Sequence, residues 1–147
     1  MGDAIVVGTD GSETATVAVH EAVRLAKALD GHVHLVTALD PVPVRISGAP
    51  EGAAKVWQPA PDFKRDGVLE QAQAAVRIAG VAVTAHAMRG DPVDALLEVA
   101  DEVGATMIVV GSKGMHGARR LALGNVPNKV SHRARCNVLI VGTDPPG

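Results

Sequence analysis

Short unbroken apolar runs alternate along this chain with longer stretches in which apolar residues return at helical spacing. Residues 4–8 (Ala-Ile-Val-Val-Gly), 106–110 (Thr-Met-Ile-Val-Val) and 137–141 (Asn-Val-Leu-Ile-Val) are too short for helices and rich in β-branched side chains. They predict strands buried on both faces. Residues 32–38 and 81–88 predict two further strands, the former alternating and rich in β formers. A helix is predicted over 14–29 through Val17, Val19, Ala22, Val23, Ala26 and Leu29, with Ser12 as its N-cap and Gly31 as its stop. Residues 62–80 predict a second helix with Phe63, Val68, Leu69, Ala72, Val76 and Ala79 inward. A third, over 92–103, has Asp91 as cap, Pro92 at its first position and a stripe of Val93, Leu96, Leu97 and Ala100. A fourth starts beside Asn125 and runs through 127–133. The proline-rich stretch 41–61 predicts a long loop that could act as a lid, and 143–147 a flexible tail.

The order β-α-β-loop-α-β-α-β-loop-α-β implies an α/β fold: a parallel sheet, doubly wound through right-handed crossovers, with helices on both faces. The length of 147 residues fits a single domain over 1–147. Its core must be aliphatic, because Trp57 and Phe63 are the only aromatic residues. The net charge of −2 argues against a nucleic-acid partner. No apolar run approaches the roughly 20 residues of a membrane span. The single cysteine, Cys136, allows no internal disulfide, and no secretory signal is evident, which together predict a cytoplasmic setting.

Chemistry concentrates at two strand ends. Ligands of such sheets bind beyond the carboxyl ends of the strands, where the winding reverses. Gly8-Thr-Asp-Gly-Ser12 follows the first strand, and a Gly-rich, basic stretch from Gly111 to Asn125 follows the strand at 106–110. If those strands are neighbours, both turns face one crevice. Backbone N–H groups of the second loop, with the helix N-terminus behind it, suit a phosphate. Asp10 could accept hydrogen bonds from ribose hydroxyls, and the strand end near Thr37-Ala38-Leu39 could wall a base. Lys113, His116, Arg119, Arg120, Lys129, His132, Arg133 and Arg135 form a local basic patch on a mildly acidic chain, which fits a small anion better than a polyanion. Neither the Walker loop nor the dinucleotide fingerprint is present.

These residues match a known pattern. The chain resembles the universal stress protein family from Ile5 to Val141. Gly111, Gly114 and Gly124 fall on the family's Gly-x2-Gly-x9-Gly-Ser/Thr motif, Val7-Gly-Thr-Asp-Gly-Ser12 is similar to its first turn, and Cys136-Asn-Val-Leu-Ile-Val141 to its closing strand. The resemblance implies a Rossmann-like sheet of five strands in the order 3-2-1-4-5 and a homodimer formed through strand five. It implies an adenine nucleotide held by Thr9, Asp10, Ala38, Val110, Gly111, Gly114, Gly124, Asn125 and Val126, to which the residue reading adds Gly8, Lys113 and Arg120. Two positions depart from the motif. Asn125 stands where Ser or Thr is usual, and Gly8 where many ATP-binding members carry Pro. With Val126-Pro127, Gly8 is closer to an actinobacterial-type branch that includes cyclic AMP binders. ATP, with Mg in company, and cyclic AMP therefore both stay open.

Plainer readings compete at each position. Asp10 could be a cap alone, the glycines turn residues, and the basic side chains a solvated face. His32 and His34 share a strand face, an acceptable metal geometry for which the sequence shows no third ligand. His20, His86 and His132 carry no motif, and Cys136 has no activating partner in view. Thr-Asp-Gly-Ser is not a hydrolase elbow, and no general base stands out, so no catalytic residue and no resident metal is expected. The expected function is nucleotide binding in a stress response. Its rivals are an adenylyl- or phosphoryl-transfer enzyme, with ATP hydrolysis as its weak form, and a ligand-free interaction module.

Overall fold

The computed structural model of the chain describes residues 2–39, 41–44, 56–59, 63–112 and 125–142. Its elements are β1 (Ala4–Gly8), α1 (Glu13–Leu29), β2 (His32–Leu39), β3 (Pro41–Val44), β4 (Val56–Pro59), α2 (Phe63–Ile78), β5 (Ala82–Arg89), α3 (Pro92–Val103), β6 (Met107–Gly111), α4 (Asn125–Arg133) and β7 (Asn137–Val141). The main sheet runs β5-β2-β1-β6-β7 and every pair in it is parallel. Counted without β3 and β4, this is the expected order 3-2-1-4-5.

Burial explains the continuous apolar runs. Ile5, Val6 and Val7 of β1, the central strand, are all fully buried, because successive side chains point to opposite faces and both faces are covered. On one face α1 and α2 pack Ala18, Val19, Ala22, Ala26 and Val76 against Ile5, Val7, Val33, Leu35 and Val109. On the other, α3 and α4 pack Val93, Leu96, Val99, Val126 and Val130 against Val6, Val36, Ile108 and Val110. The α1 face against the sheet is built of small residues, Ala15, Ala18, Ala22 and Ala26 with Val19. Val17 and Leu29, expected inward, stand 41% and 44% exposed.

Two further expectations are corrected. The left-handed residue that stops α1 is Asp30 (φ 51°), not Gly31. Gly31 is required for another reason: a Cβ there would sit 2.8 Å from the Asp3 carbonyl oxygen. The second correction concerns 41–61, expected as a loop throughout. Its described ends pair as an antiparallel ribbon, Pro41 with Pro59, Val42 with Gln58, Pro43 with Trp57 and Val44 with Val56. All three prolines fall on one alternate set of pairs. Proline cannot donate, so Val42–Gln58 and Val44–Val56 are left to carry the ladder.

Candidate functional site

The β1–β6 pairing (Ile5 with Met107, Val6 with Ile108, Val7 with Val109) brings the carboxyl ends of these strands side by side. The chain leaves β6, and α4 must return antiparallel to reach the parallel strand β7. The N-terminus of α4 therefore lies at the same end of the sheet as the β1–α1 turn.

That turn is held by its own side chains. Thr9 is buried; its N–H donates to Val36 O (2.9 Å) and its Oγ1 accepts from Gly11 N (3.2 Å). Gly11 adopts φ 82°, a left-handed conformation that glycine takes without strain. Asp10 Oδ1 accepts from Ser12 N (2.9 Å), and Ser12 Oγ in turn accepts from Ala15 N (3.2 Å) as the helix N-cap. The turn thus presents the half-exposed Asp10 carboxylate on a fixed backbone. Beside it, a cavity of about 190 Å³ lies between the turn and the facing sides of α1 and α2, lined by Thr9, Gly11, Thr16, His20, Gln71 and Ala75 among others.

The remaining site residues divide by what they can offer. Gly8 is buried in register with Val36. Ala38 is half-buried against the α3–α4 core layer. Val110 and Val126 are core side chains of that same layer, so only their backbones face the strand ends. Gly111 pairs with Val141, and the N–H of the next residue, Ser112, already donates to Val141 O (2.8 Å). Lys113, Gly114, Arg120 and Gly124, together with the side chain of Asn125, lie outside the described residues. Asn125 opens α4, which has no acidic residue in its first turn and carries His132 and Arg133 in its last. By contrast, Glu13 and Asp94 sit in the first turns of α1 and α3. The positive end of the α4 dipole is thus not offset by a side chain of its own helix. Arg133 also pairs with Asp94 (3.1 Å), tying α4 to α3.

A second cluster was legible in the sequence only in part, as His32 and His34 on one strand face. His32, His34 and His86 gather with Thr84 on the α3 side of the sheet, in the amino-terminal half of β2 and beside it on β5. His32 Nε2 and Thr84 Oγ1 lie 2.7 Å apart, His34 Nδ1 and His86 Nε2 3.0 Å, and the His32 and His34 rings stack at 4.5 Å. Burial, then the neighbouring His32 and His86, push the His34 pKa down to about 4. The signal was the shared parity of 84 and 86 on their strand; the register that sets them beside 34 is long-range and has no local signature. Burial also raises the Cys136 thiol, in keeping with an inert residue.

Comparison with known proteins places this geometry. The model of the Universal stress protein family matches residues 1–142. Universal stress protein Rv1636 of Mycobacterium tuberculosis is 36% identical over 143 residues, 95% of each chain. Universal stress protein YxiE of Bacillus subtilis is 32% identical over 148 residues, covering 96% of this chain and 99% of its own. Among solved structures, a universal stress protein in complex with cAMP aligns at a TM-score of 0.71 and 32% identity over 97% of this chain and 98% of its own.

Proposed function

The chain belongs to the universal stress protein family, and on that premise we propose that it binds an adenine nucleotide across the carboxyl ends of β1 and β6 as a cytoplasmic, regulatory protein. The observation that carries the reading is the adjacency of β1 and β6, which sets the Asp10 carboxylate at the same sheet end as the N-terminus of α4. An anion and a sugar hydroxyl on one small molecule would satisfy both ends. Asp10 has acceptor capacity beyond its bond to Ser12 and would take the free ribose hydroxyls, both in ATP and the 2′ alone in cyclic AMP. Main-chain N–H groups at Gly111, Gly114, Gly124, Asn125 and Val126 would hold phosphate, with Lys113 and Arg120 as counter-charges. The strand end at Ala38 would flank the base, while Gly8, Thr9 and Val110 fix the backbone.

Cyclic AMP is the first ligand to test. The family neighbour bound to it supports that choice, as does the resemblance of Gly8 and Val126-Pro127 to the branch that includes cyclic AMP binders. ATP with Mg is the second reading. Binding rather than turnover is the proposed event, in keeping with the stress-response family to which the chain belongs. Isothermal titration with cyclic AMP, ATP, ADP and AMP tests the proposal: heat with at least one, greatly reduced in Asp10→Ala, is expected. No heat with any of them overturns it. ATP turnover well above background and dependent on Asp10 would favour the enzyme instead.

A further inference from the structure

We propose that His34 and His86, with His32 as a third ligand, form a site for a borderline divalent cation of the zinc class, on the β2–β5 side of the sheet and laterally displaced from the β1–β6 crevice. The β2–β5 register pairs His34 with Thr84 and Val36 with His86, so His86 stands one step along from His34 on the neighbouring strand. Further along the same face, Val36, Ala38 and Met88 pack into the α3–α4 core layer. In the amino-terminal half of β2, the positions on that face carry imidazoles instead. His32, His34, Thr84 and His86 are all half-exposed, so a hydrated cation can reach them.

The geometry is close to that of a bound metal. Two ring nitrogens 3.0 Å apart share one hydrogen, so one of them already directs an unprotonated lone pair at the other. Two imidazoles on a tetrahedral zinc, at about 2.0–2.1 Å each, have nitrogens about 3.3 Å apart. Opening the His34–His86 pair by about 0.3 Å and tilting each ring by about 35°, so that both lone pairs converge on a point off the line between the nitrogens, would let a cation replace the shared proton. The donor ring changes tautomer, its proton returning through solvent to its other nitrogen, so no net charge is lost from the protein. Among the described residues no three His, Cys, Asp or Glu side chains meet at one metal position as they stand. His32 becomes the third ligand by rotating its ring from the Thr84 hydroxyl, 2.7 Å away, toward the pair. Water completes the shell. Imidazole nitrogens without carboxylates select zinc, nickel or copper over magnesium or calcium.

The test is a Zn²⁺ titration of untagged, chelator-treated protein, followed calorimetrically and by melting temperature. One equivalent should bind and raise the melting temperature, while Mg²⁺ should do neither. Replacing even an outer partner of a metal ligand typically costs 10–100-fold in affinity, so His34→Asn and His86→Asn should each weaken zinc by about tenfold or more. His20→Asn, at an exposed position of α1 on the opposite face of the sheet, should leave zinc unchanged, and His86→Asn should leave nucleotide binding unchanged. Should His34→Asn fail to fold, His86→Asn on the edge strand carries the test alone. No zinc uptake, or equal uptake by the wild type and His86→Asn, overturns the site. Unchanged affinity in His32→Asn overturns its role as third ligand.

Discussion

Asp10 joins two roles that a single substitution can separate. Its Oδ1 accepts from Ser12 N, a turn-closing bond that any side-chain carbonyl could make, whereas only a carboxylate brings charge to the crevice. Asp10→Asn should keep the turn, with stability within about 0.5 kcal/mol of wild type, and still lose about 1.5–3 kcal/mol of nucleotide affinity, the usual worth of a hydrogen bond to a charged group. Denaturant unfolding and calorimetric titration of the same sample check the two halves. Equal affinity in Asp10→Asn would reduce Asp10 to a turn residue. His34 makes a prediction of a different kind. Its folded pKa of about 4 lies below the ordinary histidine value of 6.5, chiefly because burial penalises the charged ring. As pH falls, the unfolded chain takes up this proton before the folded one does. The contribution is therefore fully present above about pH 6.5 and is lost as pH drops toward 4. The ring is only partly buried, so solvent screening should hold the effect to about 1 kcal/mol or less. In chelator-treated protein the urea midpoint should fall between pH 7 and pH 5, and His34→Gln should flatten that slope.

At the scale of elements, the end of α1 shows why adjacent residues are not interchangeable. Asp30 takes the left-handed position and Gly31 the tight one. Asp30→Gly relieves a strained φ and should raise stability by about 0.5–1 kcal/mol. Gly31→Ala forces a methyl group to within 2.8 Å of the Asp3 carbonyl and 3.4 Å of Ile5 Cδ1, and should cost about 1–3 kcal/mol. Opposite shifts of the urea midpoint check the pair; equal shifts would show that the αL position is not where Asp30 places it. At the other end of a helix, Asp91 accepts from Val93 N (2.8 Å) and Asp94 N (3.2 Å) ahead of Pro92. Asp91→Ala should cost about 1 kcal/mol in the same assay. This cap was legible in the sequence because capping is local: Asp, Pro and an apolar stripe occupy consecutive positions. The β3–β4 ribbon was not, because prolines 41, 43 and 59 read as loop signals until the pairing shows that they share one set of positions. Val17, expected in the α1 stripe, failed for a related reason: the face against the sheet is set by close approach of the backbones, which favours alanine over larger residues.

For the whole molecule, alternation of runs along the chain was enough to give a doubly wound α/β sheet, since each buried run needs helices on both sides. Strand order was not in that pattern; it came with the family resemblance and agrees with the β5-β2-β1-β6-β7 sheet. His32 and His34 were legible as neighbours on one strand, but their meeting with His86 depends on register between strands some fifty residues apart and so stayed hidden. The two outer strands of the sheet differ in a way that bears on assembly. β5 carries Thr84, His86 and Arg89, polar groups that discourage another strand from pairing. β7 reads Asn137-Val-Leu-Ile-Val141, and its four apolar side chains remain half-exposed in the isolated chain. Those side chains already contact both core layers, so a second copy laid along β7 would extend the sheet and finish burying them. A homodimer through β7 is therefore expected, with a scattering mass twice that of the chain at micromolar concentration. Leu139→Lys places a charge within that edge and should shift the particle toward the chain mass while nucleotide still binds. A wild-type protein that stays monomeric across this range would leave the apolar edge without a partner of its own kind.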